Sequence, residues 1–448
     1  MSTSTSTPVM DATVGDASVE EILAMELPAT YKAAYVEKED AVRLWEQPEE
    51  KRQRADVRDT LKVGEIPMPE PAPDEVVVAI MASALNYNTV WSARFEPIPG
   101  FLFLDFLGKT GGWNERHDQD FQVLGSDAAG VIVKLGANVT RWQVGERVVI
   151  HTGWGDLEEG VNHHDIVRST ETRAWGFETN YGGLAHYSVV KSAQLMKKPT
   201  HLTWEEAACN TLCGMTSYRM LVGDYGALCK QGELVFIWGA AGGLGSYAVQ
   251  LVKNGGGIAI GVVNSQAKQE LLEELDCDLI IRRDQMDLEG LEPRKFGKAF
   301  REIVRAKYGE DPHIIFEHVG EKTFWASVYL AANGGRIVTC GSSTGADHHY
   351  DNRYLWMKTK RIIGSHGATL QEGKEFTRLV ELGMIQPALS KVIALDDVAQ
   401  GAHELDANTH VGKVGVLCLA PEEGLGIEDP EKRARIGEEK IEMFRKYA

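Results

Sequence analysis

A glycine-rich turn carries the clearest chemistry in the chain. Gly239, Gly242, Gly243 and Gly245 fall within Phe236-Ile237-Trp238-Gly239-Ala240-Ala241-Gly242-Gly243-Leu244-Gly245-Ser246, an apolar strand-like run that passes into the start of a helix. A pyrophosphate is held by backbone N–H groups at a helix start, here those around Gly243 and Leu244. Glycines at 239, 242 and 245 keep that surface bare of side chains. Ordinary strand-to-helix turns use similar glycine spacing, so the motif alone leaves that alternative open. A second cluster follows one strand later. The run 258–263 ends at Asn264-Ser265 without a carboxylate, and Lys268 lies one turn into the next helix. An acid there suits the free ribose hydroxyl of NAD. The Ser265 hydroxyl and the Lys268 cation instead suit the extra phosphate of NADP, with Arg282 or Arg283 as a further cation. The alternative for Lys268 is a solvated surface lysine.

Such groups need a rigid sheet behind them. Apolar runs at 234–238, 258–263, 279–281, 313–317, 336–340 and 361–365 alternate with helical stretches, which predicts an α/β doubly wound parallel sheet. Before it, a proline-rich turn (Pro67, Pro69, Pro71, Pro73) leads into a strand over 75–85. Further β-like runs at 130–134, 147–151 and 185–190 predict a β-rich domain. The expected organisation is an N-terminal arm over 1–60, disordered to about residue 19 and helical over 20–58. A substrate domain over 61–205, a dinucleotide domain over 206–365 and a C-terminal segment over 366–448 complete it. The last segment ends in the strand 412–419 and returns to the substrate domain.

The formal net charge of -18 over 448 residues disfavours nucleic acid and anionic membrane as partners, so an anionic cofactor needs a local cationic pocket. The six cysteines are scattered without metal-binding spacing or a secreted framework. No uninterrupted apolar span reaches bilayer length and the start lacks signal-peptide chemistry, so a soluble cytoplasmic protein is expected.

A β-rich domain, a dinucleotide domain and a closing Gly412-Lys413-Val414 strand together resemble the medium-chain dehydrogenase/reductase superfamily, over about residues 61–420. The resemblance implies a GroES-like substrate domain plus a Rossmann domain. Zinc members carry Gly-His-Glu where this chain has Gly125-Ser126-Asp127, and the clustered structural cysteines are missing, so no metal is expected. His163-His164-Asp165 and His348-His349 are read as surface loops. Within the superfamily, four segments resemble the crotonyl-CoA carboxylase/reductases. They are Asn86-Tyr87-Asn88-Thr89-Val90-Trp91, Trp175-Gly176-Phe177-Glu178-Thr179-Asn180-Tyr181-Gly182-Gly183, Asp351-Asn352-Arg353-Tyr354-Leu355-Trp356-Met357 and Lys360-Arg361-Ile362-Ile363-Gly364-Ser365-His366.

That resemblance implies hydride transfer from NADPH to Cβ of a 2-enoyl-CoA and capture of CO2 by the enolate carbon, giving an alkylmalonyl-CoA. It assigns Asn88 to an oxygen of CO2, Glu178 and His366 to an ordered water, and Phe177 to shielding the pocket. Asn86 is close enough to be the amide instead, Phe177 reads equally as core, and Glu178 as a surface carboxylate. Arg353 and Tyr354 offer a forked cation and an aromatic face to CoA; alternatively the arginine pairs with Asp351 and the tyrosine is core. Gly367 stands where members acting on crotonyl-CoA carry a bulky residue, which implies room for medium-chain or branched acyl groups, unless the backbone itself demands glycine. Precursor supply for polyketide assembly suits such a pocket, and primary carbon assimilation fits the same chemistry. The resemblance also implies a homodimer or homotetramer. The competing functions are an enoyl-CoA or quinone reductase without carboxylation, a zinc alcohol dehydrogenase, and a non-catalytic NADPH-binding protein.

Overall fold

The computed structural model describes residues 19–47, 54–155 and 165–448. The expected disordered start and the pair His163-His164 lie outside them. In chain order the strands are β1 (Thr30–Glu37), β2 (Lys62–Pro67), β3 (Glu75–Ala84), β4 (Phe121–Val123), β5 (Ala128–Leu135), β6 (Arg147–Ile150), β7 (Gly153–Trp154), β8 (Arg173–Ala174), β9 (Tyr187–Lys191), β10 (Leu195–Lys197), β11 (Leu234–Ile237), β12 (Ile258–Val263), β13 (Leu279–Arg282), β14 (Ile314–Glu317), β15 (Arg336–Thr339), β16 (Arg361–Gly364), β17 (Leu389–Ala394) and β18 (Lys413–Leu417). The chain forms two compact units: Met1–Leu212 with Leu389–Glu438, and Cys213–Ala388 with Glu439–Ala448.

In the first unit the main sheet runs β10-β6-β5-β3-β18-β17, with β9 also paired to β3. Strand β3 is buried along its whole length, which explains a continuous apolar sequence rather than an alternating one. Its carboxyl end leads through Asn86 into the helix Tyr87–Arg94. A smaller sheet, β2-β1-β4, corrects the helical reading of 20–58. Tyr31, Ala33, Ala34 and Val36 are buried along β1, and β1 pairs antiparallel with β2 from Thr30↔Pro67 to Tyr35↔Lys62. Among the described residues of that range, helix is found at Val19–Leu23, at Lys38–Trp45 and at the start of Val57–Thr60.

The second unit holds a parallel sheet in the order β13-β12-β11-β14-β15-β16. The strand order reverses between β11 and β14, and a crevice outside the carboxyl ends at such a switch point is where doubly wound sheets take ligands. Phe236, Trp238, Phe300, Ile315 and Phe324 form part of the core beneath it. Residues 366–388 belong to this unit. The helix Leu370–Glu381 buries Phe376 and Val380, with Phe376 edge-on to Tyr247 at 5.8 Å and Glu372 paired to Arg219 at 2.9 Å.

Candidate active site

In the second unit, β11 ends at the glycine turn and the helix Gly243–Asn254 begins immediately after it, with Gly242 as N-cap. Gly239 has φ +57°, a conformation that favours glycine. Gly245 is required by contact: a Cβ there would lie 2.3 Å from the Gly239 carbonyl oxygen and 2.6 Å from Ala240 Cα. A Cβ at Gly242 would meet nothing nearer than Gly239 O at 3.4 Å, so that position faces open space. The first N–H groups of a helix have no acceptor within it, which leaves those of Gly243 and Leu244 directed toward the same space. This cradle fits a pyrophosphate.

The residues expected at the ribose lie together at the ends of β12 and β13. Ser265 caps the helix Gln266–Glu274, its Oγ accepting from Lys268 N at 3.4 Å. Lys268 is buried, and burial together with the Arg283 cation lowers its pKa. A lysine made less willing to hold its proton by burial, with a second cation beside it, is a site where a phosphate dianion is favourable. Arg282 is committed elsewhere, to Asp284 at 2.8 and 2.7 Å and to Gln266 and Gln269. Of the two arginines, Arg283 is therefore the one exposed to a ligand.

Sequence reasoning missed the residues under the turn. His318 follows β14 and its Nε2 donates to the Trp238 carbonyl at 2.8 Å, beside Gly239. Burial lowers its pKa and favours the neutral ring. Trp238 Nε1 donates to Ser327 Oγ at 2.8 Å, and Ser327 to Glu317 Oε2 at 2.5 Å. The fully buried Glu317 carboxylate also accepts from Val319 N, Gly320 N and Thr323 Oγ1, so it is caged by donors. The only signal in the sequence was a Glu-His pair at the carboxyl end of a predicted strand.

In the first unit, Asn88 and Trp91 share a face of the helix Tyr87–Arg94, three residues apart. Asn88 Nδ2 donates to Ser126 Oγ at 2.8 Å, and Ser126 Oγ donates to the Trp175 carbonyl at 2.7 Å. Asn88 Oδ1 is buried without a hydrogen-bond partner among the described residues. Asn86 is already spent: its amide lies between Asp127 Oδ2, 2.8 Å away, and the Lys413 ammonium. Phe177 packs on Trp91 with centroids 6.4 Å apart and gives its carbonyl to Gln122 at 2.7 Å. Glu178 Oε2 accepts from Ala174 N at 2.7 Å and so braces its own loop. Gly176, at φ +69°, lets that loop close on the Gly125-Ser126 turn; a Cβ there would sit 1.9 Å from Gly125 O.

His366 and Gly367 belong to the second unit, at the carboxyl end of β16, where His366 is exposed. Gly367 has φ +52° with no atom within 4 Å of a Cβ, so both the backbone demand and the open space are present. Arg353 and Tyr354 are engaged as their alternative reading described. Arg353 forms a fork with Asp351, with contacts of 3.0 and 2.7 Å, while Tyr354 packs on Tyr329 and Trp325 at 5.1 and 5.9 Å. The arginine side chain is still 74% exposed. Where zinc members place ligands, Asp127 is ion-paired to Lys413. Among the described residues no group of three or more His, Cys, Asp or Glu is placed to hold a metal ion, and no helix is long and apolar enough to cross a membrane.

Residues 72–200 match the family described as Alcohol dehydrogenase GroES-like domain, and residues 243–382 match Zinc-binding dehydrogenase. Fold and cradle thus define a medium-chain dehydrogenase/reductase with an NADP-type site. A Crotonyl-CoA reductase from Streptomyces collinus is 46% identical, over 94% of this chain and 95% of that protein. A Crotonyl-CoA carboxylase/reductase from Cereibacter sphaeroides is 37% identical, over 78% and 82%. Among solved structures, the 2-octenoyl-CoA carboxylase reductase CinF of a Streptomyces species, in complex with NADP and 2-octenoyl-CoA, has a TM-score of 0.94. It is 50% identical, over 98% of this chain and 99% of that one. The chain belongs to the crotonyl-CoA carboxylase/reductase family.

Proposed function

We propose that this enzyme carries out NADPH-dependent reductive carboxylation of 2-enoyl-CoA thioesters, with Asn88 at the CO2 and a pocket that accepts medium-chain or branched acyl groups. Family membership supports the reaction class. The observation that carries the site is the Asn88 amide: half-buried, anchored once to Ser126, with an unfilled Oδ1 and a second N–H to offer.

NADPH supplies the hydride to Cβ of the enoyl thioester. The electron pair displaced from the double bond becomes an enolate, whose Cα forms a bond to the carbon of CO2 and leaves the charge on a new carboxylate. Protonation of Cα instead would give only the saturated thioester, so the site must exclude mobile protons. Asn88 donates its second Nδ2–H to an oxygen of CO2. Phe177, backed by Trp91, keeps bulk water away. Glu178 retains Oε1 for a fixed water, and His366 offers an imidazole at the ligand-binding end of its sheet. On the cofactor side, Gly239, Gly242, Gly243, Leu244 and Gly245 receive the pyrophosphate, and Ser265, Lys268 and Arg283 the ribose phosphate. Arg353, exchanging Asp351 for a CoA phosphate, and Tyr354 border the CoA.

A homodimer or homotetramer in the cytoplasm is the proposed setting. Strand β16 has β15 as its neighbour on one side, exposes Arg361, Ile362 and Gly364, and leaves its other edge open among the described residues. An open edge is a template for pairing with a second chain. Light scattering at increasing concentration reads the assembly.

The reaction is tested by following NADPH oxidation with crotonyl-CoA and 2-octenoyl-CoA, with labelled bicarbonate and carbonic anhydrase, and weighing the thioester products. Labelled alkylmalonyl-CoA is expected. Saturated acyl-CoA alone under abundant CO2 would refute the carboxylation.

A further inference from the structure

The hydroxyl of Ser126 has one proton, and the structure says where it goes. Its Oγ lies 2.7 Å from the Trp175 carbonyl and 2.8 Å from Asn88 Nδ2. A carbonyl only accepts, so the serine proton is spent on Trp175 and Ser126 can only accept from Asn88. This settles which end of the amide faces the serine: it must be the nitrogen. An amide turned by 180° would set its oxygen against an oxygen with no proton left to give.

Ser126 is itself held firmly. It is fully buried, its carbonyl accepts from Thr152 Oγ1 at 3.0 Å, and the next residue, Asp127, is anchored to Lys413 and to Leu212 N at 2.8 and 2.6 Å. The Trp175 carbonyl belongs to the same loop as Phe177 and Glu178. One hydroxyl therefore joins the helix that carries Asn88 to the loop that carries two further site residues.

We propose that Ser126 is a positioning residue for carboxylation: by consuming its only proton on Trp175 it locks the Asn88 amide in one orientation. One Nδ2–H then faces the CO2 and Oδ1 faces a hydrogen-bond donor such as water. Without the lock the amide rotates, and in the reversed orientation its oxygen opposes an oxygen of CO2. Hydride transfer needs neither orientation, so the consequence falls on the fate of the enolate. The inference rests on Asn88 being the CO2-binding amide.

The test uses the full-length enzyme with NADPH, 2-octenoyl-CoA, labelled bicarbonate and carbonic anhydrase, with Ser126→Ala and Asn88→Ala in parallel. For Ser126→Ala, KM for CO2 is expected to rise about tenfold and the carboxylated share at limiting CO2 to fall roughly fivefold, a loss in keeping with one oriented hydrogen bond. NADPH oxidation without CO2 stays within about twofold of the parent, which also reports that the variant is folded. An unchanged carboxylated share in Ser126→Ala overturns the proposal. So does an equal loss of reduction and carboxylation, which marks a purely structural serine. If Asn88→Ala also keeps the parental share, the assignment of Asn88 has failed. If only Asn88→Ala loses it, the amide acts but Ser126 does not orient it.

Discussion

Lys413 donates to Asp127 at 2.8 Å where their side chains are 2% and 0% exposed. The ammonium also donates to Leu85 O at 2.7 Å and to the Asn86 amide oxygen, and the carboxylate accepts from Leu212 N and Thr211 Oγ1. Every group brought out of water has a partner. Removing one partner strands a buried charge, so Lys413→Met is expected to cost about 3–5 kcal/mol. Replacing both charges by Lys413→Met with Asp127→Leu should recover part of that loss. Urea unfolding measures both, and a single variant that costs under about 1 kcal/mol would contradict the account.

Two glycines of the turn have separable roles. Gly245→Ala drives a methyl into Gly239 O and Ala240 Cα, so it should lower the melting temperature and weaken NADPH binding together. Gly242→Ala has room within the protein, so the fold should hold while NADPH affinity drops about tenfold, the methyl occupying space meant for the pyrophosphate. Calorimetric titration beside thermal melts checks the pair. Equal melting losses would remove the distinction.

Lys268 and Arg283 should decide between the two nicotinamide dinucleotides. Lys268→Ala and Arg283→Ala are each expected to raise KM for NADPH about tenfold and to leave KM for NADH nearly unchanged. There is a pH corollary. Burial and Arg283 lower the Lys268 pKa in the free enzyme, and a bound phosphate raises it again. NADPH binding should therefore take up protons at alkaline pH and weaken as pH rises there. Titration in buffers of different ionisation enthalpy reads the uptake, which should shrink in Lys268→Ala.

Lys360 is buried with its ammonium on Val328 O and Tyr329 O at 2.6 and 3.3 Å. Burial, with Lys358 and Arg301 adding to it and Asp311 opposing, pushes its pKa down to about 7. In the unfolded chain a lysine titrates near ~10.4. Between those values the unfolded state binds more protons than the folded one, so stability rises with pH across that window. The melting temperature of the parent minus that of Lys360→Met should grow from pH 7 to about 9.5. A pH-independent difference would discard this account.

At Gly367 a side chain has space but an unfavourable backbone. Gly367→Ala bears the cost of the positive φ with little bulk, and Gly367→Phe bears both. Relative to the alanine variant, the phenylalanine variant should shift kcat/KM toward crotonyl-CoA and away from 2-octenoyl-CoA by an order of magnitude or more, at ~0.8 kcal/mol per displaced methylene. No shift between the two would leave φ as the sole reason for glycine.

The strands of the parallel sheet were legible because each is a short run with an apolar centre between helical stretches. The run 258–263, for instance, is β12 without adjustment. Strand β1 was not. Its apolar residues sit between Glu20, Glu21 on one side and Lys38, Glu39, Asp40 on the other, and those helix-forming charges masked a strand whose alternation is itself broken by the adjacent buried Ala33 and Ala34. The choice between Asn86 and Asn88 was undecidable locally, because it turns on Lys413, a partner more than three hundred residues away in the chain. Ser126 escaped for the same reason: its importance lies in hydrogen bonds to Asn88 and Trp175, segments that no local pattern joins to it.

The place of β18 in its sheet imposes an order on synthesis. It pairs with the carboxyl end of β3, from Gly415↔Ala84 to Leu417↔Ala82, and Lys413 reaches Leu85 across a separation of 328 residues. At about 5–20 residues per second, a ribosome makes that lysine roughly 16–66 s after the leucine. Until then Asp127 has no counter-ion, and the edge of β3 that β9 pairs at Glu75–Ala79 has no neighbour over Ala82–Ala84. The nascent substrate-side unit is held incomplete while the whole dinucleotide-binding sheet emerges.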